Sequence, residues 1–147
     1  MTDRVTEHTT IDAPPEVVRA VLLDFPAYPD WAKDLKDAEV VSSSPDGTPL
    51  EVRFRAAAMG RSTSYTLRYD LSDPSVVAWV LTEGDVTKKL DGHYALAAAE
   101  GGGTEVTYVL EAELKLPLPG FVKNRAQGRI MHAALVDLKE RAESQGR

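Results

Sequence analysis

The chain has 147 residues, 43% of them hydrophobic and 27% charged, with a formal net charge of −6 and no cysteine. This excludes disulfide staples, thiolate zinc sites and a cysteine nucleophile, and it argues against a nucleic-acid partner, which needs a clustered positive surface. The length suits one domain, residues 1–147, and with neither a signal-peptide pattern in residues 1–7 nor an apolar run near the ~20 residues that span a bilayer, the expected location is cytoplasmic, with no integral membrane segment.

Residues 4–12 read as a strand, with Val5 and Ile11 in one register and Thr6, His8 and Thr10 in the other. Ala13-Pro14-Pro15-Glu16 breaks it. Proline is tolerated in the first helical turn, where its missing N–H has no partner to lose, so a helix starts here. Val17, Val18, Val21 and Leu22 give that helix an apolar face. Phe25-Pro26 ends it, and a second short helix follows at Tyr28-Pro29-Asp30-Trp31.

From Leu35 the pattern changes to period two. A strand over 37–43 meets the turn Pro45-Asp46-Gly47, where glycine supplies a positive φ. Leu50, Val52, Phe54 and Ala56 alternate with Glu51, Arg53 and Arg55, and Met59-Gly60 is read as the next turn. Thr63, Tyr65, Leu67, Tyr69 and Leu71 then alternate with polar neighbours up to the turn at Asp73-Pro74. Strands over 76–82, 86–98 and 104–115 follow, separated by Gly84-Asp85 and Gly101-Gly102-Gly103. The glycine run is no phosphate loop, because a strand follows it and not a helix. After Pro117-Leu118-Pro119-Gly120 comes about 25 residues of helix, roughly 38 Å long and long enough to cross the whole sheet.

The order is α+β: one strand, two short helices, six strands and a long helix. It predicts a helix-grip fold, with a curved seven-stranded antiparallel sheet around the C-terminal helix.

Four stretches carry a resemblance. Ile11-Asp12-Ala13-Pro14-Pro15-Glu16-Val17-Val18, followed by Asp24-Phe25-Pro26-Ala27-Tyr28-Pro29-Asp30-Trp31, resembles the opening of the polyketide cyclase/dehydrase group. Leu90-Asp91-Gly92-His93-Tyr94-Ala95-Leu96 and Gly103-Thr104-Glu105-Val106-Thr107-Tyr108 resemble its later strands. That group belongs to the START-like (SRPBCC) superfamily, which shares the birch-pollen-allergen fold. The resemblance implies that fold and an apolar internal cavity. Members bind lipids, hormones, polyketides, quinones or protein clients, and some are enzymes.

Alternation places Phe54, Tyr65, Leu67, Tyr69, Trp79, Leu81, Tyr94, Tyr108 and Leu110 on the inner face of the sheet. Buried phenol and indole groups need hydrogen-bond partners, so these residues suit either a filled core paired to backbone or water, or the wall of a ligand site. On the long helix, Asn124, Gln127, Met131, Ala134, Leu135, Leu138 and Ala142 share one side. Asn124, Gln127 and Gly128 bring polarity and space where a core would carry leucines, unless they lie beyond the sheet edge. Glu7 and Glu83 share registers with inward residues, and a carboxylate in an apolar cavity is a candidate acid or base, although a strand-end carboxylate more often reaches water.

His8, His93 and His132 stand singly, so no metal site is expected, and no cofactor is implied. Arg53, Arg55, Arg61 and Arg68 fall outward or at a turn, which leaves no inward arginine on the strands. Lys123, Arg125 and Arg129 read as a solvated basic patch. The expected function is binding or transport of a small apolar or aromatic ligand such as a lipid, polyketide or isoprenoid. The alternatives are a polyketide aromatase/cyclase or dehydratase that moves protons through cavity tyrosines or Glu7, and a quinone-chaperone or ribosome-associated interaction protein. The last would show an exposed apolar patch. Oligomeric state is not legible.

Overall fold

Alternating apolar and polar side chains can bury only one face of a sheet, and that face needs a second layer to cover it. The computed structural model describes residues 3–32, 35–58, 61–115 and 131–145. It shows seven strands in one antiparallel sheet of order β1-β7-β6-β5-β4-β3-β2. These are β1 (Asp3–Ile11), β2 (Leu35–Ser43), β3 (Pro49–Ala58), β4 (Arg61–Asp70), β5 (Val76–Gly84), β6 (Thr87–Ala98) and β7 (Thr104–Leu114). Consecutive strands from β2 to β7 are neighbours, and β1 closes the far side against β7. The turn expected at Met59-Gly60 lies outside the described residues.

Between β1 and β2 stand α1 (Pro15–Leu23), a 3₁₀ turn (Phe25–Ala27) and α2 (Tyr28–Trp31). Pro15 opens α1, and the Pro14 carbonyl accepts from the N–H groups of Val17 and Val18. Val18, Val21 and Leu22 turn into the core as their spacing predicts. At the other end of the chain a π-helical stretch, His132–Asp137, runs into α3 (Leu138–Gln145). A period of 3.6 gives no hint of that wide turn. It brings residues i and i+5 to one side, and there His132 Nε2 stands 3.5 Å from a carboxylate oxygen of the buried Asp137.

Two polar clamps fix the helices to the sheet. Lys139 Nζ donates to the Thr10 carbonyl at 2.7 Å and to Glu143 at 2.6 Å, while the Asp12 N–H donates to Glu143 at 2.9 Å. Thr104, fully buried, donates to the Ala13 carbonyl at 2.7 Å. The end of β1 is thereby held to α3 and β7 together. On the other side, the Arg19 guanidinium on α1 donates to the carbonyls of Leu71, Asp73, Pro74 and Val76 around the β4–β5 turn. Charge-assisted bonds of this kind are stronger than neutral ones. Ile11, Val18, Leu22, Phe25, Val52, Val77, Val106 and Leu138 are the largest fully buried apolar side chains among the described residues.

Two features of the glycines matter to the site's frame. Gly101 and Gly102 adopt φ of +82° and +90° in the β6–β7 connection, a region side chains resist. At Gly92 the constraint is space: a Cβ would lie 2.3 Å from the Val109 carbonyl oxygen and 3.0 Å from the Trp79 ring. We expect Gly92→Ala to lower stability by about 1–3 kcal/mol through overpacking and to shift the tryptophan emission, as read in a denaturant titration followed by fluorescence.

Candidate functional site: an aromatic wall with phenol hydroxyls

Cross-strand register decides which side chains face inward. Phe54 pairs with Tyr65, Leu67 with Leu81, Tyr69 with Trp79 and Tyr94 with Tyr108, so all eight stand on one face. Leu110 joins them opposite Gly92. Phe54, Leu67, Tyr69, Trp79, Tyr94, Tyr108 and Leu110 are buried, while Tyr65, Leu81 and Met131 are partly buried against the same core. Asn124, Gln127 and Gly128, together with Lys123, Arg125 and Arg129, lie outside the described residues.

The rings form one continuous chain. Tyr94 and Tyr108 are 4.7 Å apart between centroids, Trp79 touches both, and Tyr69 links Trp79 to Phe25 at 4.8 Å. Phe25, Tyr28 and Trp31 were not among the sequence-predicted wall residues. Their spacing of three puts them on one side of consecutive short helical turns, a signal that strand alternation does not register. Tyr28 packs on Phe54 at 5.7 Å and on Trp31 at 4.9 Å. All five tyrosines and both tryptophans of the chain therefore belong to one cluster.

A buried phenol must place its hydroxyl somewhere. Tyr28 donates to the Leu22 carbonyl, and Tyr94 donates to the Ala134 carbonyl inside the π-helical stretch at 3.0 Å. The hydroxyls of Tyr65, Tyr69 and Tyr108 make no hydrogen bond among the described residues. Yet no buried side-chain nitrogen or oxygen there is left without a partner. Tyr69 and Tyr108 as residues are only 7% and 4% exposed. Tyr65 also borders an opening of about 260 Å³ at the β3–β4–β5 end, with Arg53, Thr66, Glu83 and Asp85.

Burial pushes all five phenols well above the ordinary value of about 10. Mutual repulsion of their ionised forms adds to this: Tyr69 feels Tyr28, Tyr65, Tyr94 and Tyr108, and Tyr108 feels Tyr65. Each is a neutral donor at physiological pH.

The two carboxylates end up differently. Glu7 keeps the inner register, opposite Tyr108, but it is exposed on the edge strand β1. Glu83 leaves the inner face. A bulge between β4 and β5 pairs Leu67 with Leu81 and Thr66 with Glu83, so Thr82 is the extra residue and Glu83 turns outward beside Thr66. Alternation along β5 put Glu83 with Trp79 and Leu81, and one inserted residue reverses that parity.

The histidines stay apart. His8 is exposed with Nδ1 3.1 Å from the Thr107 hydroxyl, His93 faces outward on β6, and no metal-holding cluster occurs among the described residues. Arg53, Arg55 and Arg68 are exposed on the outer face, and the side chain of Arg61 is not described. A groove of about 320 Å³ lies between α1 and α3, bordered by Val17, Val21, Trp31 and Arg141, and none of the predicted wall residues lines it. No helix among the described residues is long and apolar enough to cross a membrane.

Known proteins share this arrangement of sheet, short helices and covering helix. The family model for polyketide cyclase/dehydrase and lipid transport matches residues 2–143. The chain belongs to that family. Solved structures agree on the fold. A START superfamily protein from Mycobacterium smegmatis matches with a TM-score of 0.88 at 22% identity, covering 97% of this chain and 98% of its own. The Zhui aromatase/cyclase from Streptomyces sp. R1128 matches at 0.83 and 19% identity, over 100% and 97%. The major latex-like protein 151 of Panax ginseng matches at 0.67 and 12% identity, over 96% and 97%. At these identities the likeness speaks for the fold alone. No curated protein matches the sequence.

The hydroxyl assignments have two measurable consequences. Tyr94→Phe strands the Ala134 carbonyl and is expected to cost about 1–2 kcal/mol in a urea titration, whereas Tyr108→Phe removes no hydrogen bond among the described residues and costs less. Because folding raises the phenol pKa values, the unfolded chain loses protons first as pH climbs past about 10, and stability falls from there upward. Phenolate absorbance should therefore appear together with unfolding at alkaline pH. A smooth titration near pH 10 in a chain that remains folded would show the phenols to be exposed.

Proposed function

We propose that the protein binds a small apolar or aromatic ligand in the space between the inner sheet face and the C-terminal helix. One observation carries this reading: three phenol hydroxyls on an otherwise apolar, ring-lined wall make no hydrogen bond among the described residues. A mostly apolar surface with a few fixed polar groups is the usual composition of a small-ligand site. In a wholly filled core those hydroxyls would be spent on backbone, as Tyr28 and Tyr94 are. Membership of a family described by cyclisation, dehydration and lipid transport fits a ligand-holding interior.

The cyclase alternative draws on the structural likeness to an aromatase/cyclase. In that reading the tyrosines would act as hydrogen-bond donors to a developing oxyanion, because a phenol with a raised pKa stays protonated at neutral pH and holds its proton. Glu7, opposite Tyr108, would be the proton acceptor. The interaction-protein alternative has less support. The exposed large hydrophobics among the described residues, Val41, Val80 and Val136, sit on three different elements and form no common patch between neighbouring strands.

Native mass spectrometry of freshly purified protein is expected to show a co-purifying small molecule. A thermal-shift screen with lipids, aromatic polyketides and isoprenoid quinones is expected to raise the melting temperature for at least one class. Met131→Trp, which adds volume at a partly buried position against the core, should abolish that shift while the far-ultraviolet circular dichroism is kept. Empty spectra and a flat screen together would refute the reading.

A further inference from the structure

The sheet ends in two edge strands, β1 and β2, and they are built differently. β2 pairs with β3 through three register shifts, between Leu35 and Asp37, Val40 and Ser42, and Ser42 and Ser43. Such irregularities twist an edge and spoil it as a template for another strand. β1 pairs with β7 at every residue from Asp3 to Ile11 without a shift. Of the two, β1 is the regular template.

The ladder also fixes which backbone groups of β1 are free. In an antiparallel pair every second residue turns its N–H and C=O away from its neighbour. The Val109 carbonyl points to β6, where a Cβ on Gly92 would lie 2.3 Å from it, so Thr6, which faces Val109, turns its own groups to the open side. Arg4, His8 and Thr10 share that parity. The chain itself uses the far end of this row: Lys139 takes the Thr10 carbonyl, and the Asp12 N–H donates to Glu143. Arg4, Thr6 and His8 are exposed, and no described strand pairs with them on that side.

A second copy carries the matching edge. A two-fold axis normal to the sheet sets two β1 strands antiparallel and keeps their inner faces on one side, so residues of like parity face each other. With the axis at Thr6, Thr6 faces Thr6, Arg4 of one copy faces His8 of the other, and Val5 faces Glu7. Each facing pair in the row of Arg4, Thr6 and His8 then exchanges two backbone hydrogen bonds. Threonine opposite threonine is a favourable cross-strand pair. Glu111, 4.0 Å from the Arg4 guanidinium, offsets that charge beside the imidazole. Sliding one step toward α3 sets Glu7 against Glu7 and runs the strand into Thr10, whose carbonyl is taken. Sliding the other way loses a facing pair. One register remains.

We propose that the β1 edge is a docking surface for a second copy of this chain, the two β1 strands pairing antiparallel about Thr6 so that one sheet runs through both copies. The contact is small, so the dimer is weak and forms with a Kd between roughly 10 µM and 1 mM. Pairing of β1 with the β2 edge of another copy would build open chains, and the shifts in β2 oppose it.

Sedimentation velocity on the full chain should show a monomer–dimer equilibrium over that concentration range, with no larger species. Thr6→Pro removes an N–H from the open side and leaves the β7 ladder whole, so it should weaken the dimer at least about tenfold with the melting temperature little changed. The chain has no cysteine, which makes a single introduced thiol a clean reporter. Facing residues at Thr6 would have Cα atoms about 5.5 Å apart, within disulfide reach, so Thr6→Cys should oxidise to a covalent dimer at least about tenfold faster than Ser43→Cys on the β2 edge. In a mixture of isotope-labelled and unlabelled chains, an intermolecular nuclear Overhauser contact should join the Val5 and Glu7 α-protons. A chain still monomeric at about 1 mM overturns the proposal. A dimer that survives in folded Thr6→Pro, oxidises equally fast at Ser43→Cys or lacks the Val5–Glu7 contact places the interface elsewhere and overturns it too. The thiol comparison and the contact in the unaltered chain decide the matter even if Thr6→Pro folds poorly.

Discussion

A phenol hydroxyl withdrawn from water has to find another partner, and that requirement organises this molecule. Two of the five tyrosines meet it with backbone carbonyls. Tyr28 closes on Leu22 and so folds α2 back against α1, while Tyr94 reaches across to Ala134 and binds the sheet to the helix that covers it. Both bonds therefore join elements that share no backbone ladder. The remaining three hydroxyls find no such carbonyl among the described residues, and this sets them apart from the other two. One constraint accounts both for the attachment of the layers and for the character of what lies between them.

Around it, charge is kept to the perimeter. Lys139 and Glu143 bind the helix end to the corner after β1, and Arg19 gathers the carbonyls of the β4–β5 turn. On the outer face Lys89 bridges Glu111 and Asp91, and beyond the last paired residues of β5 and β6 the Asp91 carboxylate accepts from the Leu81 N–H at 2.9 Å. These groups stay near water, where they shape strand ends and turns at little desolvation cost. The buried positions of the inner wall are left to aliphatic side chains, rings and hydroxyls.

Much of this was legible in the chain itself. Period-two alternation identified the inner face of β3 to β7 residue by residue, and proline and glycine marked the breaks, because side-chain direction and turn sterics are local properties. What escaped was whatever shifts a period without a mark in composition. Thr82 is an ordinary strand residue, yet its insertion opposite β4 carries Glu83 to the outer face. Phe25, Tyr28 and Trp31 belong to the wall through tertiary docking of short helical turns, which no single-element pattern encodes. The partners of the hydroxyls were likewise beyond reading, since Leu22 and Ala134 offer only their carbonyls.

The wide turn at His132–Asp137 bears on how the covering helix is phased. In an α-helix each residue advances the direction by about 100°, so accommodating one residue more in a turn displaces everything on one side of it by that angle relative to the other. Leu138 and Ala142 are fixed by the clamps beyond the turn, whereas Met131 stands on its near side. The direction of Met131 is thus set separately from that of the anchoring residues beyond the turn. Evolution, or an engineer, could redirect what Met131 presents to the wall by adding or removing a single residue here, with the anchoring half of the helix left in place.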